Sequence, residues 1–354
     1  MRKISKTPCN SMFIGELTDG CKLCIKGEKL VLFVTGKCNV NCEYCTVSEK
    51  RYGKDEVWAN EKKVERDEDI INEAKICSSS GAGITGGEPL IELERTIKYI
   101  KLLKQKFGKK FQIHLYTSGI LENPEEVCKK LNEAGLDELR IHSNKEFVKV
   151  ARKWKNWKVG MEIPVFPGKE NDIIDLIKFL EEIGADFINL NELEFSDRNI
   201  EFFKKQGFEL REDSLTAVKG SIETAEKILE WAKENTNKIN IHFCTASLKL
   251  NCQLRNRLIN RAKGIKKPFE KISKDGFIIK GILFDAKIED ILNFLKSEKI
   301  SEKNYFVNKD KNRVETSEFI AKILVKKKPN FKIAIVEEYP SADPWDFELT
   351  PLNY

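Results

Sequence analysis

Between residues 30 and 193 the chain repeats one pattern six times: a short apolar run that stops at a small or polar residue. The runs cover 30–34, 82–85, 111–117, 137–142, 159–165 and 187–193. A short unbroken apolar run reads as a strand covered on both faces. Helical periodicity fills several of the gaps, over 93–106, 124–134 and 171–183, the last with Ile174, Ile177 and Leu180 on one face. Strand alternating with helix builds parallel β/α units. The expected fold class is therefore α/β, an open, partial parallel β/α barrel of about six strands. After Glu194 the pattern breaks. Residues 195–220 read as an excursion, followed by a helix over 222–234, a strand over 239–243 and a basic amphipathic helix over 253–263. Beyond Pro268, strands over 277–284 and 331–336 and helices over 286–297 and 315–325 make a small C-terminal α/β domain. The expected divisions are 1–29, an N-terminal cysteine-containing segment; 30–245, the barrel; 246–267, a basic helix and auxiliary metal region; and 268–354, the small domain.

The ten cysteines decide what kind of chemistry to look for. No apolar run is long enough to span a membrane, and the first residues lack the apolar stretch of a secretory signal. A cytoplasmic setting is the expectation, and there metal binding is a better use of clustered thiols than disulfides. The net charge of +6 permits an anionic partner and requires none.

Just after the first strand stand Cys38, Cys42 and Cys45. A Cys-x₃-Cys-x₂-Cys loop can wrap three thiolates around an iron–sulfur cube and leave one iron without a protein ligand. Such an open position marks reactivity rather than structure. The competing reading pairs Cys21-x₂-Cys24 with Cys42-x₂-Cys45 as a zinc ribbon and a non-enzymatic binding protein. It leaves Cys38 unused and places a core-like strand where a ribbon needs short hairpins. One β/α unit downstream, at the end of the second strand, stand Gly86, Gly87, Glu88 and Pro89. Glycines there allow close approach to the backbone.

With these two motifs in this order, the chain resembles the radical S-adenosylmethionine (SAM) superfamily, over roughly residues 28–245. It looks most like a branch related to pyruvate formate-lyase activating enzymes. Thr46 departs from the proline that many relatives carry after the last cysteine. The resemblance implies a [4Fe-4S] cluster on Cys38, Cys42 and Cys45, with SAM on the open iron. Gly86, Gly87 and Glu88 would then lie against the methionine part and Tyr44 near the adenine. Reductive cleavage of SAM would yield a 5′-deoxyadenosyl radical that abstracts hydrogen from a substrate. An electron donor of flavodoxin or ferredoxin type is implied as partner.

Chemistry in such barrels gathers at the C-terminal ends of the strands. Ser118, His142 and Glu162 are candidates there for SAM, and Asn189 and Asn191 for substrate. Alternation places Arg140 with His142, and Asn189 with Asn191, on common faces. His114 reads as structural, and Cys77 and Cys128 as core. Cys21, Cys24, Cys244 and Cys252 form a candidate auxiliary metal site, for zinc or a second iron–sulfur cluster, with Cys9 and His242 as alternates. A small metabolite or cofactor precursor is the favoured substrate. RNA is an alternative, because 253–267 holds Arg255, Arg257, Arg261, Lys263, Lys266 and Lys267 without an acid, and Lys326, Lys327 and Lys328 follow. Activation of a partner enzyme through a glycyl radical is another.

Overall fold

In a computed structural model, which describes residues 1–353, the strand–helix alternation becomes one eleven-stranded sheet, and the C-terminal residues form a six-stranded sheet of their own. The chain divides into two compact units. One comprises Met1–Ala74 with Ser79–Leu254; the other comprises Lys75–Ser78 with the residues from 255 onward.

The first unit opens with strands β1 (Ile4–Lys6) and β2 (Met12–Ile14), helix α1 (Asp19–Lys26) and strand β3 (Lys29–Phe33). Two short strands, β4 (Trp58–Ala59) and β5 (Lys62–Lys63), and helix α2 (Asp67–Ile76) lead to β6 (Gly81–Thr85). Regular alternation follows: α3 (Leu93–Phe107), β7 (Gln112–Thr117), α4 (Pro124–Ala134), β8 (Glu138–Ile141), α5 (Lys145–Ala151), β9 (Lys158–Val165), α6 (Glu170–Glu182) and β10 (Phe187–Glu192). Helices α7 (Ile200–Lys205) and α8 (Ser221–Asn235) precede β11 (Asn240–Cys244).

The strand order is β1-β2-β11-β10-β9-β8-β7-β6-β3-β4-β5. Seven strands, β3 and β6 to β11, run parallel. At one side β2 adds antiparallel to β11, and at the other β4 adds antiparallel to β3. The large parallel sheet matches the expected α/β class. Its antiparallel flanks, with β2 supplied from the chain start, were not anticipated.

Alternate strand residues separate two faces. Ile113, Leu115, Leu139, Ile141, Val159, Met161, Ile188, Leu190, Ile241 and Phe243 belong to one apolar core with the buried stripes of α3, α4, α6 and α8. In α6 that stripe is Ile173, Ile177 and Leu180, an i, i+4, i+7 spacing, so the buried face begins one residue earlier than periodicity suggested. The opposite face is polar, and helix α1 packs there. Thr18 caps α1 by accepting from the Cys21 amide, and Gly27, in the left-handed region at φ 70°, closes it. Gly20 allows the contact: a Cβ there would stand 2.7 Å from both Arg140 Nη2 and His114 Nδ1.

In the second unit, helix α9 (Arg255–Ile265) is followed by β12 (Lys271–Ile272), β13 (Ile278–Phe284), α10 (Ile288–Ser297), β14 (Tyr305–Asn308), β15 (Arg313–Thr316), α11 (Glu318–Leu324), β16 (Lys332–Glu338) and β17 (Asp346–Pro351). The sheet is antiparallel throughout, in the order β14-β15-β13-β16-β17, with β12 beside β13. Leu283, Val314 and Ile333 pack with Ile291 and Leu295 of α10 and Leu324 of α11. Buried Lys280 and Arg313 are paired there with Glu270, Glu315 and Glu338.

Candidate active site

The polar face of the parallel sheet lines a cavity of about 720 Å³. Its wall follows the two-residue period of each strand: Lys29 and Val31, Gly83 and Thr85, Tyr116 and Ser118, Arg140 and His142, Glu162 and Pro164, Asn189 and Asn191, His242 and Cys244. Every site residue expected from the sequence lies on this one cavity except Cys252 and the alternate Cys9. Cys38, Cys42, Cys45, Tyr44, Gly86, Gly87 and Glu88 form one wall, and Cys21 and Cys24 come from α1.

Cys38, Cys42 and Cys45 are free thiols on the loop leaving β3. Burial pushes the Cys38 and Cys42 thiols above their ordinary pKa. Among the described residues, no three His, Cys, Asp or Glu side chains are grouped so as to hold a metal ion. The zinc-ribbon reading conflicts with the topology. Strand β3, which separates its two cysteine pairs, lies inside the sheet between β6 and β4.

The two glycines line the cavity, and the structure gives them a packing role as well. A Cβ on Gly86 would meet the Thr35 carbonyl oxygen at 2.4 Å, and one on Gly87 would meet that of Lys37 at 2.2 Å. The Gly87 and Glu88 amides donate to Thr35 O and Lys37 O, both at 2.8 Å. The missing side chains thus let this loop lie against the segment that delivers Cys38. Buried Glu88 accepts from Thr117 Oγ1 at 2.8 Å, the Ser118 amide at 2.7 Å and the Leu90 amide at 3.1 Å. The motif ties together the ends of β3, β6 and β7.

Deeper in the cavity Arg140 is the hub. Its Nε donates to Glu138 at 2.6 Å, Nη1 to Glu162 at 2.8 Å and to Tyr116 Oη at 3.1 Å, and Nη2 to Thr18 Oγ1 at 3.2 Å. Asn189 and Asn191 each donate to Glu162 at 3.0 Å, and His142 Nδ1 lies 2.7 Å from the Glu162 carbonyl oxygen. Burial would raise the Glu162 carboxyl, but Arg140 and the two asparagines hold it at about 2. Cys21 lies 3.5 Å from Arg140 Nη2. Burial alone would raise its thiol; Arg140 and His242 outweigh that and bring it to about 7. His114 is buried and, chiefly through desolvation, well below its ordinary pKa.

The auxiliary site read from spacing needs correction. Cys252 is disulfide-bonded to Cys9, with a Cα–Cα distance of 6.6 Å across 243 residues of sequence. Neither sulfur is then available as a ligand. The preference for metal over disulfides overlooked this pair because no spacing rule links positions so far apart.

The sequence reading also missed the use of the excursion after β10. Ser196 Oγ donates to Cys45 O at 3.1 Å, and the Arg198 guanidinium stands 3.3 Å from the Tyr52 ring centroid. Tyr44 meets Phe166 edge-on at 6.1 Å within an aromatic cluster that includes Phe195, Phe203 and Phe208. Lys249 pairs with Glu194 at the cavity wall. The repeated phenylalanines at 195, 202, 203 and 208 were the available signal. The basic run after 253 is partly consumed internally: Arg261 donates to Pro340 O at 2.6 Å, and Lys267 pairs with Glu270 and Glu315.

Residues 32–144 match the Radical SAM superfamily, and residues 276–352 match a domain of unknown function, DUF8061. A Methanocaldococcus jannaschii protein, provisionally named a glycyl-radical enzyme activating enzyme, is 42% identical over 360 aligned residues, covering 95% of this chain and 93% of that protein. The chain belongs to the radical SAM superfamily. It is an enzyme, and the family implies SAM and a [4Fe-4S] cluster. A GTP 3′,8-cyclase of Aliarcobacter butzleri is 26% identical over 83% of this chain and 96% of its own length. Streptococcus suis SuiB bound to its precursor peptide SuiA aligns over 70% of this chain at 13% identity and a TM-score of 0.44. The chain spans about half the length of that structure. Among the described residues no helix is long and apolar enough to cross a membrane.

Proposed function

We propose that this radical SAM enzyme holds its cluster on Cys38, Cys42 and Cys45 and acts on a partner polypeptide. The observation that carries the cluster assignment is that three free thiols on one loop share a cavity with the Gly86-Gly87-Glu88 segment and the C-terminal strand ends. The donor set fits: three free thiols on one loop, and thiolates suit iron–sulfur clusters. Cys38, Cys42 and Cys45 would hold the cluster, which would supply the electron for reductive cleavage of SAM and so a radical able to abstract hydrogen from substrate.

The chain's own residues bind, orient and exclude water. Because burial keeps Cys38 and Cys42 protonated, loading the site must release protons. The bonds from Gly87 and Glu88 to Thr35 and Lys37 hold the cysteine loop in register with the SAM-facing segment. Glu162, Asn189, Asn191 and Arg140 form a pre-organised polar wall. The aromatic cluster around Tyr44 keeps that side of the loop dry. An electron donor of flavodoxin or ferredoxin type belongs to the same reading.

For the substrate, the nearly full-length relative at 42% identity favours glycyl-radical activation over the small metabolite first expected. The cyclase relative at 26% keeps a purine nucleotide as the second reading. The internal pairing of Arg261 and Lys267 weakens the case for RNA. The test is anaerobic. Protein reconstituted with iron and sulfide is reduced, given SAM and assayed for 5′-deoxyadenosine, with Cys42→Ala in parallel. Product from the variant would reject the cluster assignment. Stimulation of 5′-deoxyadenosine formation by millimolar GTP would reject the polypeptide reading and leave the cluster assignment intact.

A further inference from the structure

Strand β17 ends its sheet. It pairs with β16 alone, and all six of its residues are exposed. A long exposed edge is a template for another strand, and proteins usually blunt it. This one is blunted only by a register shift between Glu337 and Glu338, by Asp346 and Glu348 and by the closing Pro351, and it is flanked by aromatic side chains. Trp345 is 50% exposed and Phe347 52%. Both are held by stacking: Phe347 lies on Phe277 with centroids 4.5 Å apart and planes 10° apart, and Trp345 lies on Tyr339 at 5.4 Å and 13°. Such a platform is rigid before any ligand arrives, which reduces the ordering cost of binding.

The carboxylates beside the platform are unevenly compensated: Asp346, between the two rings, is paired with Lys311 and Arg313, but its neighbours are not. Glu337 and Glu348 are directly opposed across β16 and β17, an arrangement that destabilises a sheet left to itself. Asp275 adds a third carboxylate. Burial, then Glu348 and Asp275, push the Glu337 carboxyl up. Among the described residues no ion pair is recorded for these three acids. Elsewhere in the same sheet the acids are compensated: Glu315 and Glu338 are paired with Lys280 and Arg313. The uncompensated acids therefore occur only where the edge is open and aromatic faces are exposed, and that combination favours a cation.

We propose that the β17 edge is a docking site for an extended, Lys- or Arg-bearing segment of a partner protein, which adds to the sheet as a further strand. Backbone pairing along β17 would supply affinity. Basic side chains on Trp345, Phe347, Glu337 and Glu348 would supply selectivity. A second copy of this chain fits poorly, because its own β17 carries no basic residue to meet Glu348. A nucleic acid fits poorly, because its phosphates would meet the same acids. The inference does not depend on the radical site.

The test uses the full-length chain and a fluorescein-labelled ten-residue peptide alternating lysine with valine, followed by anisotropy. A counterpart alternates glutamate with valine. The expected result is saturable, salt-weakened binding of the basic peptide, at least about tenfold tighter than the acidic one. Trp345→Ala and Glu348→Lys should each weaken it about fivefold or more. Both positions are exposed, and unchanged circular dichroism would show the fold intact. Slower amide exchange along β17 in the bound state distinguishes strand addition from adsorption. Equal binding of both peptides, no effect of either variant, unchanged β17 exchange, or tighter binding of a single-stranded RNA decamer would overturn the proposal. So would a dimer that Trp345→Ala converts to monomer, since the edge would then belong to a second copy.

Discussion

Replacing Arg140 with methionine tests the architecture of the cavity floor. Methionine keeps much of the apolar stem and removes the charge. In the wild type the Arg140 side chain is 4% exposed, and its partners Glu138 and Glu162 are 2% and 11% exposed. The substitution leaves two buried carboxylates without their cation. Breaking a buried pair from one side costs about 3–5 kcal/mol, because the remaining charge stays desolvated. Arg140→Met should therefore lower the stability of the first unit by that amount at pH 8, read as a shift in urea midpoint by tryptophan fluorescence. The loss should shrink toward pH 5, since unpaired buried carboxyls take up protons. Adding Glu138→Gln and Glu162→Gln removes the stranded charges, so the triple variant should recover most of the loss. A loss below about 1 kcal/mol, or a triple variant no more stable than Arg140→Met, would refute the view that a desolvated ion network organises this face.

Three further outcomes follow from particular contacts. Gly87→Ala places a Cβ against the Lys37 carbonyl oxygen, which would stand at 2.2 Å, and must displace the loop that delivers Cys38; iron bound per chain after reconstitution should fall well below wild type, while the melting temperature drops by only a few degrees, as about 1–3 kcal/mol of overpacking implies. Glu162 and Glu315 are both held at about 2, against an ordinary value near 4.5, so each contributes stability that is complete above pH 4.5 and is lost as pH falls through 2; between pH 5 and pH 3 urea midpoints should fall, and Glu162→Gln should flatten that slope. Thiol titration of the apoprotein, denatured without reductant, should count eight of the ten cysteines, and all ten after reduction; ten at the outset would refute the Cys9–Cys252 bond.

What could be read in the chain was what depends on neighbours in sequence. Apolar runs broken by helical stretches are local, so the parallel β/α character and most strand positions were legible. Polar residues two apart, such as Arg140 with His142 and Asn189 with Asn191, share a face whatever the strand's partners, and they do line one cavity. The cysteine triplet was legible because its spacing lies within one loop.

Tertiary structure decided the rest, since hydrophobic periodicity reports that a residue is buried but not against what. The reason for Gly86 and Gly87 became clear only when the Thr35 and Lys37 carbonyl groups were placed beside them. Cys252 looked like a ligand until the fold brought Cys9 to it across 243 residues. Arg140 read as one polar residue on a strand, yet α1 and strands β7 to β9 make it the centre of an ion network. The sequence by itself determined the kind of sheet and the spacing of the cysteine loop, because short-range pattern encodes both. Which thiols remain free, which charges are compensated and which sheet edge stays open were decided only by the tertiary structure, because each depends on groups that are distant in the chain and adjacent only in space.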